Sequence, residues 1–298
     1  MEIRKLNYRA GWLVADYLNE QSCSITPELM ASVLLEGADA ATEQYVYAAL
    51  LGGMMGLDTE NSTEDRFIAD QYLRPGLRRL DAARWRENAY YRNIQIEPCS
   101  RDGWALAWQR YQPYELFLRD DLILTDDLRQ IPAIGYFTEP FAYPSVLQDG
   151  REWMSIKPSE IASSQAAIDA AAGRVLTFGL GLGYFAYMAA RKPEVSSVTV
   201  VERDPAVISL FRERILPQIP EKAKISVIQA DAFDYLDHQM RLAQPNFVFM
   251  DIWHDIADGT PLAVRAKQYE PRFPHTRFTY WIERSLRCAL IDELEHRI

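Results

Sequence analysis

Between residues 174 and 251 four short apolar runs alternate with stretches of helical periodicity, and this alternation restricts what the chain can fold into more than any other feature. The runs are Arg174 to Phe178, Val198 to Val201, Ile225 to Ile228 and Phe247 to Met250. Helical patterns at Gly183 to Arg191, Ala206 to Leu216 and Ala232 to Arg241 separate them, and an alanine-rich one, Pro158 to Ala172, precedes them. Strands spaced by helices of about 10 to 15 residues cannot pair as hairpins; they need crossovers, which predicts a doubly wound parallel α/β sheet, a Rossmann-like fold.

The upstream half has a different texture. Residues 1–92 carry helix punctuation: Thr26-Pro27-Glu28 supplies cap, first-turn proline and first-turn acid, and Ser62-Thr63-Glu64-Asp65 reads as another start. Asp39 to Gly56 and an arginine-decorated stretch, Pro75 to Asn93, are expected as helices, giving a helical N-terminal region. Over 93–156 short aromatic and β-branched runs follow: Ile94 to Glu97, Trp104 to Trp108, Tyr114 to Leu118 and Leu122 to Thr125. Asp149-Gly150 marks a hairpin between Phe141 to Leu147 and Glu152 to Ile156, so a small antiparallel β region is expected there. Residues 157–298 then form the Rossmann-like domain.

Composition narrows the partners. The 298 residues carry 32 basic and 42 acidic side chains, and the net charge of -10 opposes attraction to nucleic acid or to an anionic membrane. A small-molecule substrate is expected instead. No apolar run approaches the roughly 20 residues of a membrane span, and the opening MEIRKLNYRAGW lacks the order of a signal peptide, so a cytoplasmic location is expected. Cys23, Cys99 and Cys288 are widely spaced with no C-x-x-C pair, which suggests neither a disulfide framework nor a zinc knuckle.

The densest chemical signal is Phe178-Gly179-Leu180-Gly181-Leu182-Gly183-Tyr184, directly after an apolar strand and opening a helix. Such glycines let backbone N-H groups come close to a ligand, although they also serve a tight turn with close packing. Three acids follow at successive strand ends. Glu202 stands where a carboxylate accepts both hydroxyls of a ribose, Asp231 in Gln229-Ala230-Asp231-Ala232-Phe233 where it or the next amide reads an adenine, and Asp251 at the mouth of the crevice. Each acid alone also makes a good helix cap; their order along the strand ends is what points to one ligand. Tyr184 is placed to wall that ligand. Trp153-Met154-Ser155 and Glu160, upstream, reach the crevice or serve as core and helix-start residues.

These residues resemble class I S-adenosylmethionine-dependent methyltransferases, with the spermidine-synthase-like branch nearest, over roughly residues 150–255. The resemblance implies S-adenosyl-L-methionine as cofactor, with Gly179, Gly181 and Gly183 along the methionine portion, Glu202 on the ribose, and Asp231 with Ala232 on the adenine. Asp251 would face the methyl acceptor. Many family members carry an acid two residues before the first glycine, where this chain has Thr177. Aminopropyltransferases place an aspartate within the loop and a D-x-x-D pair after the fourth strand, whereas this chain has Leu182 and an Asp251 to Asp255 spacing. Asp251-Ile252-Trp253-His254-Asp255 also looks like the matching stretch of catechol O-methyltransferase; on that analogy Asp251 is a metal ligand and His254 a general base. The second metal pair of that enzyme is missing, and the expected site holds no metal.

Only 47 residues follow Asp251, and Thr276 to Ile298 reads as one amphipathic helix, so the sheet is expected to be C-terminally truncated. The acceptor side must then be covered by the first 150 residues or by another copy of the chain, which leaves a homo-oligomer open. No G-x-S-x-G, H-E-x-x-H or G-x-x-x-x-G-K-[ST] motif is present. The reading is a methyltransferase acting on a small molecule. A binding protein without turnover, an aminopropyltransferase-like enzyme, and an NAD-dependent oxidoreductase using Gly181 to Ala186 as G-x-G-x-x-A are the alternatives.

Overall fold

A computed structural model describes residues 2–296, and among these no helix is long and apolar enough to cross a membrane. The chain divides into two compact units: residues 1–85 with 110–142, and residues 86–109 with 143–298.

The first unit is helical, with a small mixed sheet. Its helices are Ile3–Glu20, Pro27–Val33, Ala40–Met54 and Thr63–Ile68, and the last three begin where the capping residues place them: Thr26, Asp39 and Ser62 each accept a backbone N-H with the side chain. Leu6, Val14, Tyr17, Leu51, Ile68 and Tyr72 lie in one buried cluster. Pro75 to Asn93 is not one helix. Leu77–Leu80 runs as a strand parallel to Ile134–Phe137, because Gly76 brings the backbone so close to the Pro132 carbonyl that a Cβ would lie 2.2 Å from it. Two short helices, Ala82–Arg86 and Ala89–Asn93, follow.

The second unit holds the parallel sheet. Its elements are α1 (Pro158–Ala170), β1 (Gly173–Phe178), α2 (Tyr184–Ala190), β2 (Val195–Glu202), α3 (Pro205–Leu210), β3 (Ile225–Gln229), α4 (Ala232–His238), β4 (Phe247–Met250), α5 (Ile256–Lys267), β5 (Arg277–Tyr280) and α6 (Glu283–His296). The spatial order is β3-β2-β1-β4-β5 and every pairing is parallel. This is the order of the doubly wound Rossmann-like sheet. Side chains alternate between two covered faces. Phe249 stacks on Phe185 of α2 at 4.4 Å, while Leu176, Phe178, Val248 and Met250 join Phe233, Leu236, Ala263 and Leu286 in a second buried cluster. The central strands β1 and β4 are buried on both faces over Val175–Phe178 and Phe247–Met250, which is why those runs are predominantly apolar and legible.

β5 corrects the sequence expectation that Thr276 to Ile298 is one helix. Phe278, Thr279 and Tyr280 suit a strand, and their backbone pairs with the open edge of β4 in register Val248 to Phe278 and Met250 to Tyr280. Ile282, at φ 45°, turns the chain before α6 begins. Residues 297 and 298 of the expected helix lie outside the described residues. Ile94 to Glu97 forms no strand. The Asp-Gly hairpin forms as expected, with Asp149 at φ 49° and Gly150 at φ 81° between Phe141–Gln148 and Arg151–Ser155.

Candidate functional site

A doubly wound sheet places a crevice outside the carboxyl ends of its strands, where the strand order reverses. Here the reversal lies between β1 and β4: from β1 the chain winds outward to β2 and β3, then returns to β4 on the other side of β1. A hollow of about 360 Å³ opens at that place. It crosses the strand ends in order: Asp231, Ala232 and Phe233 after β3, Glu202 ending β2, Gly179 to Gly181 after β1, Asp251 to His254 after β4, and Trp281 after β5. At about 4.8 Å between strands these ends span roughly 20 Å. The strand Arg151–Ser155 and the start of α1 supply the facing wall, with Trp153, Met154, Lys157 and Glu160.

The turn after β1 depends on glycine. Gly179, at φ +93°, donates its N-H to the Val201 carbonyl, and a Cβ there would lie 1.9 Å from the Asp251 carbonyl. Backbone N-H groups of the turn are mostly engaged inside the protein: Leu180 donates to Glu202 at 3.1 Å, Leu182 to the Met154 sulfur at 3.4 Å, and Gly183 to the Leu180 carbonyl at 2.7 Å. The amides expected to approach a ligand are thus held by neighbours. Met154 also lies over Gly181, its sulfur 2.5 Å from where a Cβ would stand.

The acids differ in how far their oxygens are used. Glu202 accepts Leu180 N-H with Oε2 and Asp204 N-H, at 2.9 Å, with Oε1. Burial raises its pKa, partly offset by those two donors. Asp231 caps α4: its Oδ1 accepts the N-H groups of Phe233 at 2.8 Å and Asp234 at 3.2 Å, so its cap role and its place on the wall coexist. Asp251 is held by its backbone N-H on the Phe178 carbonyl, and burial, with Glu202 near, pushes its carboxyl up to about 7. Glu160 is pushed up to about 8, by burial first and by Asp251 and Glu152 next, against the pull of Lys157. The Lys157 ammonium is itself bonded to Glu152.

His254 stands at the rim, half exposed, with Nε2 3.3 Å from the Glu152 carbonyl and its ring 5.7 Å from that of Trp153. Asp255 faces away from any ligand role: it accepts the N-H groups of Ala257 and Asp258 and forms a capping box with Asp258 at the start of α5. Among the described residues no group of three or more His, Cys, Asp or Glu side chains is arranged to hold a metal ion.

The hollow therefore gathers Gly179, Gly181, Glu202, Asp231, Ala232, Asp251 and His254 on its walls. It does not gather Gly183 and Tyr184. Gly183 is packed under Phe211, whose ring would meet a Cβ at 2.2 Å, and Tyr184 is buried at 2% exposure with its hydroxyl accepting from Asn88 at 3.0 Å. Residues with no assigned role in the sequence include Phe233 and Arg265, whose guanidinium lies 3.7 Å from the Phe233 ring centre, closing the β3 end of the hollow. Trp253 and Trp281 close the other end. Trp153, Met154, Ser155 and Glu160, for which the sequence left a place over the crevice or a packing role open, line the facing wall, and the Asp149-Gly150 turn was the local signal for the hairpin that carries the first three.

Among solved structures the chain is similar to an O-methyltransferase from Klebsiella pneumoniae, provisionally assigned in its own description, at 17% identity and a TM-score of 0.31, covering 39% of this chain and 49% of that one. It is similar to the cofactor-bound Rv0187 from MTB at 21% identity and a TM-score of 0.31, covering 40% and 52%. It is also similar to spermidine synthase from Thermotoga maritima at 14% identity and a TM-score of 0.29, covering 51% and 46%. The matched part spans about half the length of each of these proteins. No family model matches the chain, and no curated protein matches it.

Proposed function

We propose that the hollow binds S-adenosyl-L-methionine and that the protein transfers its methyl group to a small-molecule acceptor. One observation carries this reading: the glycine turn after β1 and the acids after β2, β3 and β4 all line a single hollow at the point where the strand order reverses. A nucleoside lying along those ends has its ribose hydroxyls at Glu202, whose oxygens each keep a lone pair beyond the bond they already accept. Its adenine lies between Asp231, Ala232 and the Phe233–Arg265 stack. The remainder of the molecule then passes Gly179 and Gly181 towards Asp251. Met154, a flexible side chain, must swing off Gly181 to admit it.

When bound, the cofactor supplies a methyl group on a positively charged sulfur that leaves as a neutral thioether, so positioning is most of what the protein must add. The residues past Gly179 provide it. Trp153, Trp253 and Trp281 narrow the β4 end of the hollow and limit water there. Asp251, titrating at about 7, is matched to accept the proton that an acceptor hydroxyl or amine loses as its lone pair forms the new bond to carbon. His254 at the rim is the second group placed to take that proton.

The test is equilibrium titration with S-adenosylmethionine and S-adenosylhomocysteine, read by the fluorescence of the three hollow-lining tryptophans, followed by transfer of a labelled methyl group into a metabolite pool. Saturable binding of both compounds with label transfer is expected. Absence of binding of either removes the reading, and enhancement of NADH fluorescence on mixing would put a nicotinamide cofactor in its place.

A further inference from the structure

The acids of the hollow fall into two groups by their partners, and the division follows the sheet. Glu202 and Asp231, towards β3, are engaged by backbone donors, and Glu152 is engaged by Lys157 and by the Ser155 hydroxyl. Glu160 and Asp251, towards β4, accept no hydrogen bond with their carboxyl oxygens from any described residue. Asp251 is close enough to disfavour charge on Glu160, and Lys157, the cation that acts on Glu160, is already bonded to Glu152. Both carboxyls are half-buried on the wall of the hollow, so their lone pairs face the space a ligand would fill, and a positive N-H group there would match them. The hollow also has polarity along its length: a nucleoside with its base at β3 must run its tail over β1 to β4. Thr177, where an acid would stand in the resembled family, is buried at 2% exposure and is not part of the wall.

We infer that Glu160, with Asp251 beside it, holds the protonated amino group at the amino-acid end of the bound cofactor, taking the place of the acid that position 177 lacks. This inference rests on the proposed binding of S-adenosylmethionine and deepens it. Glu160 is suited by placement: it lies in the first turn of α1, just after Pro158, and lines the hollow together with Asp251. Its carboxylate and the ligand ammonium form a charge-assisted pair in a partly enclosed site, which an amide of the same shape cannot reproduce. Asp251, whose charge Glu202 also disfavours, is the member of the two that exchanges a proton with an acceptor.

The experiment compares two probes on the intact chain: S-adenosylhomocysteine, and 5′-deoxy-5′-methylthioadenosine, which keeps the nucleoside and thioether but has no amino-acid end. At pH 8, Glu160→Gln is expected to weaken S-adenosylhomocysteine at least tenfold and to leave methylthioadenosine within twofold, while Glu160→Asp restores part of the difference. Retained methylthioadenosine binding shows that the variant is folded. Equal weakening of both probes, or no weakening of S-adenosylhomocysteine, overturns the role of Glu160 and leaves the cofactor reading intact. Failure of the unaltered protein to bind either probe overturns both.

Discussion

Replacing Asp251 by Asn should make the ligand-free protein more stable at alkaline pH, because the native carboxyl is kept where its charge is unwelcome. Burial lifts it from the ordinary aspartate value of 3.8 to about 7. A proton held that much more tightly in the fold than in the unfolded chain corresponds to about 4 kcal/mol at 1.36 kcal/mol per tenfold. The sign follows from the raised value: the folded state keeps its proton between pH 3.8 and 7 while the unfolded chain loses it, so stability falls over that window and stays low above it. Asn carries no such charge. The gain from Asp251→Asn should therefore be near zero at pH 4, grow through pH 7, and level off. Water in the hollow and relaxation around the carboxylate reduce the plateau to about 2 to 4 kcal/mol, or roughly 4 to 12 °C in melting temperature. Urea unfolding followed by tryptophan fluorescence at pH 4, 5.5, 7 and 8.5 reads this directly. A gain independent of pH, or a loss of stability at pH 8.5, would refute the claim that the carboxyl sits in a charge-disfavouring hollow.

Methyl transfer should rise with pH along a limb centred near 7, since Asp251 must be ionised to accept a proton, and the limb should vanish in Asp251→Asn; a profile identical in both forms assigns the base elsewhere. Glu202→Gln takes an acceptor from either Leu180 or Asp204, which should cost about 1 to 2 kcal/mol in unfolding free energy and weaken S-adenosylhomocysteine at least tenfold, checked by urea titration and calorimetry. Unchanged affinity would move the ribose away from β2. Met154→Ala clears the thioether from Gly181 and should tighten S-adenosylhomocysteine by a few fold in the same titration; a loss of tenfold or more would make Met154 a ligand contact instead.

The strands were legible because a sheet covered on both faces favours apolar residues, so Val175 to Phe178, with Thr177 its one polar member, and Phe247 to Met250 stand out as runs. The carboxyl ends of the last three runs were legible for the same reason, since Glu202, Asp231 and Asp251 are the first acids after Val198 to Val201, Ile225 to Ile228 and Phe247 to Met250. β5 was hidden. Its apolar residues continue the apolar spacing of α6, and a period of 3.6 fits across both until the sharp turn at Ile282 is known. Leu77–Leu80 was hidden too, because its two central arginines face outward and give the run the look of an exposed helix. In the site, Met154 and Glu160 could be named as candidates for the crevice but not separated from core and helix-start residues, and Lys157 was not named at all, because their place depends on how a hairpin and a helix start pack against the strand ends, which no local spacing encodes. Tyr184 shows the converse: adjacency to the glycine turn in sequence did not bring its side chain to the hollow.

The most direct test of the central claim is a crystal structure with S-adenosylhomocysteine. The account predicts ribose hydroxyls on Glu202, adenine against Asp231 and Phe233, the amino end at Glu160 and Met154 displaced from Gly181. A ligand bound away from the β1 to β4 strand ends, or Met154 still seated on Gly181 with the hollow empty at saturating ligand, would contradict it.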